Sequence, residues 1–570
     1  MFAQILPSDG PPSGQTRANL FHADPLGEAL FGNWLGPSWG ELRPIFASMG
    51  EAAAIAEPFS AAADRSRPTL LRGDATDADR VGYHPATQAL EDLAYATGLA
   101  SRRNDLGFLV RHGARRNLIG IGSGYYFAQT EIGLMCQICM TDSVGLVIER
   151  HASNALARRV LPRLGHPDRQ QRLRGAMFLT ERQGGSDLGK AATIAQSDGS
   201  RWRLDGEKAF CSNVDAEAVL TLARMPNGPP GTRGLGLFLI LRDDPPGNAG
   251  TIRILRLLQK LGVASTPTGD VRLAGTEAHL IAGANEGFKC IVEVISLTRL
   301  YNAVASLAGL RRALLHALAH GDRRQADGER LWELPLWRAG MADLVAEHLG
   351  AFLLTFAAVR ALDAADAGDT TAMKEVRLLI PIAKALTGKL AVFGVSECIE
   401  AVGGAGYLEE GILPRLLRDV QVLPIWEGTT NILTLDAARA LARERAHEAF
   451  FDRLARAQAD LPQGEGGRGM HEEIQNRILH DTELLQALAT SSAEGAQRGM
   501  REWMESAGRT AMLAFLLEAA ATPALRDVCL AAFRRLQVRP YTVTPLVSAG
   551  AADLADTEEV LLRAGYAPQR

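Results

Sequence analysis

The residues of this chain that could do chemistry sit in short, weakly charged segments rich in glycine and hydroxyl groups. In LPIWEGTTNIL (Leu423–Leu433), one carboxylate, Glu427, stands between Trp426 and Gly428 in an otherwise uncharged run. Burial against apolar groups disfavours ionisation, so a glutamate placed there suits the removal of a weakly acidic proton. A helix-capping or ion-paired glutamate would read the same way. In FLTERQGGSD (Phe178–Asp187), two adjacent glycines permit close backbone approach, while Thr180 and Ser186 offer hydroxyls. Exposed amides in such a turn can bond a phosphate or the edge of a flat ring, although a plain turn uses the same residues. In EAVGGAGYLEE, Gly403, Gly404 and Gly406 mark a break between helices, where backbone packs on a ligand or merely turns.

Composition narrows the classes of function. The 570 residues are 47% hydrophobic and 22% charged, enough for several cores in roughly three or four domains. A formal charge of −4 gives no global pull toward a polyanion, and the 12 histidines lack metal-ligand spacing, so neither nucleic acid nor a metal is expected. Six cysteines are too few for a disulfide framework. Cys136 and Cys139 form a CxxC with apolar flanks and no second half-site, which reads as buried helix cysteines. The start, MFAQILPSDGPPSGQ, lacks the pattern of a secretory signal. The most apolar run, about 346–359, is too short for a bilayer that needs ~20 apolar residues. These features set the expectation of a soluble cytoplasmic protein with no membrane partner, and Arg far in excess of Lys suggests a GC-rich bacterial gene.

The elements that must position these segments follow from periodicity. Residues 1–60 mix Pro, Gly and isolated aromatics, whereas helical spacing runs from about Thr87 to Leu164, giving an N-terminal helical domain over 1–171. Short β-type runs, LRGAMFLT, RWRL, AVLTLA and LGLFLILR, alternate with turn signals such as SDGS and NGPPGTRG, predicting a middle sheet or barrel domain over 172–285. Long amphipathic helices return over 286–450 and predict a bundle. Residues 451–570 read as an added helical domain, with LPQGEGGRG (461–469) as a loop. The class is α+β, mainly α.

In this order, the segments resemble the acyl-CoA dehydrogenase superfamily. FLTERQGGSD resembles that family's TExxxGSD signature, EKAFCSN its KxWITN strand, ANEGF its GxGF turn, VGGAGY its GGxGY motif and IWEGTTNI its IYEGTxxI motif. TRLYNAVASLAGLRRAL resembles the helix that begins with Thr-Arg. The likeness spans about Pro85 to Ala440 and implies an FAD enzyme of the acyl-CoA dehydrogenase fold. Glu427 would abstract the α-proton of an acyl-CoA or other acyl thioester while the β-hydride passes to the flavin. Thr298 occupies the place where some members carry their glutamate, which leaves Glu427 as the matched base.

The resemblance also implies ligand contacts. Met177, Leu179, Thr180, Gly185 and Ser186 would line the flavin, and Phe210 and Ser212 would replace the family's Trp and Thr against its ring. Gly403, Gly404, Thr429 and Asn431 would reach the cofactor, and Arg324 would match an arginine that contacts a neighbouring subunit's cofactor. Asp327 stands where that segment carries Phe. Ser186, Arg299 and Gly428 would contact substrate, while Ser296 replaces an aspartate common three residues before the helix arginine. A homotetramer or homodimer and an electron-transferring flavoprotein as acceptor would follow.

By pattern the chain is most similar to the AidB-like, alkylation-response branch, through RVGYHPA, SLTRLYNA, VGGAGYLEEGILPRLLRD and PIWEGTTNILTLDAARAL. That branch implies a second reading, a flavoprotein with weak dehydrogenase activity and a protective, nucleic-acid-binding role. Residues 451–570 argue against it, because they hold no Lys and their acids outnumber their arginines. RRLQVRP (Arg534–Pro540) reads as an ordinary solvated face. A third reading is a flavin oxidase or N-hydroxylase on the same fold.

Overall fold

The structure, a computed structural model, describes residues 19–73, 78–100, 108, 111–199, 201–457, 465–538 and 555–565. Its contacts divide the chain into two compact units. The first takes in residues 52–116 and 130–301, the second residues 18–51, 117–129 and 302–570.

In the first unit, β1 (Thr69–Leu71) and β2 (Arg80–Gly82) form a hairpin. The main sheet contains β3 (Gly175–Phe178), β4 (Ile194–Ser197), β5 (Trp202–Ser212), β6 (Ala218–Arg224), β7 (Leu235–Leu241), β8 (Ile252–Leu257) and β9 (Thr268–Ala282). Strand order runs β3-β6-β4-β5-β9-β7, and a further β6–β7 pairing brings the sheet back on itself. The closure leaves β3, paired with β6, and β8, paired with β9, at its margins.

Strands β6 and β7 read as continuous apolar runs because both of their faces are covered. Val219 and Ala223 pack inward with Phe178, Phe238, Ile240 and Ile254. Leu220, Leu222, Leu237 and Leu239 point the other way, onto Val144, Val147 and Ile148 of the Ile132–His151 helix and onto Ile291 and Val294. That helix is buried along nearly its whole length. Glu131 caps it, accepting from the Gly133 and Leu134 amides, and its carboxylate also accepts from Ser60 and Ser265. Cys136 and Cys139 lie on it, neither in a disulfide and the latter buried.

The second unit is helical. Helices begin at Pro25, earlier than periodicity indicated, because Asp24 accepts from the Gly27 amide and Pro25 supplies a preformed first turn. Phe31, Trp34 and Phe46 pack with Tyr126, Phe352 and Phe356 in one aromatic cluster. Residues from the C-terminal region are tied into the same unit. Arg509 pairs with Glu347 at 2.7 Å, and Arg535 donates to Asp343 at 2.7 Å, to Thr557 and to Glu558.

Three expectations change. Arg535, expected on a solvated face, is buried at the centre of that ion-pair group, because four acceptors converge on its guanidinium; Arg539 and Pro540 lie outside the described residues. Of the loop expected over 461–469, residues 461–464 lie outside the described residues and 465–469 open the Glu465–Thr490 helix. Among the described residues, Ile132–His151, Gly287–Arg323, Pro335–Asp366 and Thr370–Tyr407 are long and apolar enough to cross a membrane. Between 78% and 94% of their most apolar windows is buried inside the protein, so core packing accounts for that composition.

One contact fixes where β3 sits. A Cβ on Gly175 would meet the Thr141 Cα at 2.5 Å and the Met140 carbonyl at 2.8 Å, so only glycine lets strand and helix approach this closely. The Gly175 amide donates to Thr141 Oγ1 at 2.9 Å across that gap. Gly175→Ala is expected to cost about 1–3 kcal/mol through backbone displacement, read as a lowered urea midpoint. An unchanged midpoint would contradict the close packing.

Candidate functional site

In the first unit, the TERQGGSD turn is built around Glu181. Its carboxylate accepts from Lys208 Nζ at 2.7 Å, Thr193 Oγ1 at 2.7 Å, the Ala192 amide at 2.6 Å and Gln183 Nε2 at 2.6 Å. Lys208, fully buried on β5, also donates to the Leu222 carbonyl of β6 at 2.8 Å. Burial alone would push the Glu181 carboxyl up, but the Lys208 charge and these hydrogen bonds outweigh it, leaving its pKa below the ordinary value. The main chain joins the arrangement, since the Ala209 amide donates to the Thr180 carbonyl at 2.8 Å.

This frame decides what the turn presents. Met177, Leu179 and Thr180 are half-buried, and Gly185 and Ser186 are exposed. On the β5 side, Phe210 has φ 54° and the residue is 70% exposed. Its amide donates to Asp270 at 3.3 Å, which helps hold that left-handed conformation. Ser212 is buried, and its hydroxyl bonds Thr268 Oγ1 at 3.2 Å. Arg299 and Thr298 are buried on the Gly287–Arg323 helix, and Ser296 turns its hydroxyl to the Val292 carbonyl.

In the second unit, Glu427 (φ 60°) and Gly428 (φ 105°) are consecutive left-handed residues between Trp426 and the Thr430–Glu444 helix. Glu427 is half-buried, and Ile425, two residues before it, is exposed. Thr429 caps the helix without a side-chain cap bond, and Thr429 and Asn431 are exposed. Gly403 and Gly404 open an exposed 3-10 segment that ends at Tyr407, itself 81% exposed. Arg324 is exposed at the base of a hairpin made by β10 (Gln325–Ala326) and β11 (Glu329–Arg330). Asp327 (φ 52°) and Gly328 (φ 87°) form its turn, so Asp327 is accounted for as the first residue of an Asp-Gly hairpin turn.

The candidate residues thus gather into local groups, Thr180–Ser186 with Phe210 in one unit and Glu427–Asn431 in the other. Sequence reasoning passed over Glu181 and Lys208. Their separation of 27 residues hides them from any helix-spacing rule; the available signal was two charges, each inside an otherwise recognisable motif. A cavity of about 220 Å³ in the first unit is lined by Tyr83, Glu91, Arg172, Arg174, Asp215 and Glu217. Its charges pair with one another, Arg174 with Glu217 at 2.8 Å and Arg172 with Glu91 at 3.2 Å, which suits a structural clasp.

Comparison with known proteins follows the same segments. The acyl-CoA dehydrogenase middle-domain family matches residues 176–276, its C-terminal-domain family residues 285–442, and the adaptive response protein AidB N-terminal-domain family residues 12–169. The putative acyl-CoA dehydrogenase AidB of Escherichia coli K12 is 31% identical over 507 residues, covering 81% of this chain and 88% of that protein. The chain belongs to the acyl-CoA dehydrogenase family, in its AidB-like branch. Acyl-CoA dehydrogenase family member 11 of Caenorhabditis elegans is 34% identical over 396 residues, covering 67% of this chain and 64% of that relative's length. The crystal structure of Caenorhabditis elegans ACDH-11 in complex with C11-CoA superposes with a TM-score of 0.86 at 28% identity, covering 97% of each chain.

For this acyl-CoA dehydrogenase family member, the Glu181–Lys208 pair generates a stability prediction. A carboxylate whose folded pKa is lowered contributes stability above the ordinary carboxylate range and loses it as pH falls through the lowered value. Lys208→Met, which strands a buried carboxylate, is expected to cost about 3–5 kcal/mol at neutral pH. Glu181→Gln should flatten the acid side of the stability profile, measured by urea unfolding between pH 7 and pH 3. An unchanged acid limb would remove Glu181 as its source.

Proposed function

We propose that this protein is an FAD-dependent dehydrogenase of acyl thioesters in which Glu427 removes the α-proton. The observation that carries this reading is the placement of Glu427. A half-buried carboxylate stands on a left-handed turn, preceded in sequence by Ile425 and Trp426 and followed by a helix start without a side-chain cap bond. FAD is the cofactor that goes with the family, and when bound it supplies the acceptor for the β-hydride.

The residues present fit that cofactor. Phe210 offers an apolar ring that is exposed and held at a strained backbone angle, as a flat aromatic ligand requires. Thr180, Gly185 and Ser186 offer a hydroxyl-bearing, exposed turn whose base cannot shift without breaking the Glu181 network. The uncapped amides above Thr429 suit an anionic group, with Asn431 beside them as a further donor. Gly403 and Gly404 leave their backbone accessible. Ser212 is the weaker candidate for a direct contact, because Thr268 already engages its hydroxyl. ACDH-11 with bound C11-CoA supports an acyl-CoA as substrate.

The chemistry asked of the chain itself is limited. Glu427 must be ionised when substrate arrives and must hold the proton afterwards. General-base assistance of this kind contributes about 10²–10⁴-fold to rate. Glu427→Gln is therefore expected to keep a yellow, FAD-loaded protein while slowing anaerobic bleaching by an acyl-CoA at least about 100-fold. The check is the visible absorption of wild type and variant during titration with acyl-CoAs of increasing chain length. Bleaching at the wild-type rate in the variant would overturn the assignment of Glu427. A wild-type protein that binds FAD and is bleached by no acyl-CoA would favour the weakly active or oxygen-using readings of this fold.

A further inference from the structure

The Thr370–Val402 helix carries a cation where its neighbours are apolar. Lys384 has no solvent exposure, and Leu378, Leu379, Ile380, Ile382, Ala383 and Leu386 around it in sequence are also buried. Burying an ammonium costs several kcal/mol unless a strong acceptor meets it. Here Lys384 Nζ donates to the Gly428 carbonyl at 2.6 Å, a short, charge-assisted bond. That carbonyl belongs to the residue directly after Glu427.

The turn it holds has reason to need an outside anchor. Glu427 at φ 60° is a side-chain-bearing residue in a region that costs about 1–3 kcal/mol, and Gly428 at φ 105° is open to many conformations. Thr429, at the cap of the next helix, adds no side-chain cap bond. One helical turn beyond Lys384, on the same helix face, Gly388 gives the segment room. A Cβ there would meet Pro424 N and Cα at 3.2 Å. Lys384 and Gly388 together form a track along which residues 424–428 lie.

We propose that Lys384 is the positioning residue for Glu427: its ammonium fixes the Gly428 carbonyl and thereby the direction from which the Glu427 carboxylate leaves the backbone. The inference rests on the reading of Glu427 as the base. A purely structural lysine would serve stability, and a methionine of similar length would serve it as well or better. A positioning lysine instead controls the rate of proton removal, where a displacement of about 1 Å can cost about 100-fold.

The test uses FAD-loaded, full-length Lys384→Met, Lys384→Arg, Glu427→Gln and the Lys384→Met/Glu427→Gln double variant. The probe is whichever acyl-CoA bleaches the wild type fastest. Lys384→Met is expected to lower the limiting bleaching rate about 10–100-fold, with half-saturation changed less than about 3-fold. Lys384→Arg, which keeps a charged donor, should recover part of that rate. The double variant should be no slower than Glu427→Gln alone, because the lysine acts through that residue. Independently of activity, amide hydrogen exchange over residues 424–432 should rise at least about 10-fold in Lys384→Met without added substrate. If Lys384→Met does not fold, Lys384→Gln takes its place in every measurement. Wild-type bleaching and exchange rates in the Lys384 variant would overturn the proposal, as would a further loss in the double variant. A wild type that no acyl-CoA bleaches would instead overturn the reading of Glu427, and the positioning role would fall with it.

Discussion

The ion pair between Glu181 and Lys208 is the contact on which the first unit's candidate site depends. It joins the turn after β3 to β5 directly and to β6 through the Leu222 carbonyl, over separations of 27 and 14 residues. Two buried charges cost more in desolvation than a pair of well-packed apolar residues would. What they add is direction. A carboxylate with acceptor sites filled by Lys208, Thr193, Ala192 and Gln183 has one orientation, and so does the glycine-rich turn that carries it.

Part of the backbone strain falls at the same places. Phe210, Asn213 and Glu427 are non-glycine residues with φ between 53° and 60°. Each has a neighbour that compensates: Asp270 takes the Phe210 amide, the Asn213 side chain donates to the Gly175 carbonyl at 3.0 Å, and Lys384 takes the carbonyl after Glu427. Strain of this kind persists only where surrounding contacts over-determine it, and it is commonest where a side chain must be aimed. Both proposed ligand-facing residues, Phe210 and Glu427, are aimed in this way. The Asp327 turn shares the angle without the role, since an Asp-Gly hairpin needs nothing beyond its own two residues.

Much of this was legible in sequence, for physical reasons that differ by element. The sheet was readable because its turns carry Gly, Pro and Asp, and β6 and β7 because burial on both faces leaves unbroken apolar runs. The motif segments were readable because glycine and hydroxyl residues recur there at fixed spacing. Residues 25–65 were not read as helix, because isolated aromatics and prolines mask a pattern that Asp24 and Pro25 begin. The burial of Arg535 was hidden because its partners, Asp343, Thr557 and Glu558, lie up to 192 residues away. Glu181 was hidden in the same way, inside a motif whose hydroxyls and glycines drew the reading.

Lysine usage links these observations. The chain has seven lysines against 54 arginines, yet two of the seven are fully buried, and each donates to a backbone carbonyl, Lys208 to that of Leu222 and Lys384 to that of Gly428. Arginine is used elsewhere in the interior where several acceptors spread around a planar fork, as at Arg242 between the Ala216 and Val214 carbonyls. A guanidinium is too broad to end on one carbonyl inside a packed helix face, whereas an ammonium on a slender stem concentrates its charge on a single atom. Where a chain so committed to arginine keeps a buried lysine, the acceptors within reach of its compact ammonium explain it. At Lys208 that acceptor set includes Glu181, which orients the turn proposed to face the flavin. At Lys384 it includes the carbonyl next to the proposed base. The two units therefore use the same device: a buried, compact cation that holds a strained or flexible turn in a single conformation before any ligand arrives.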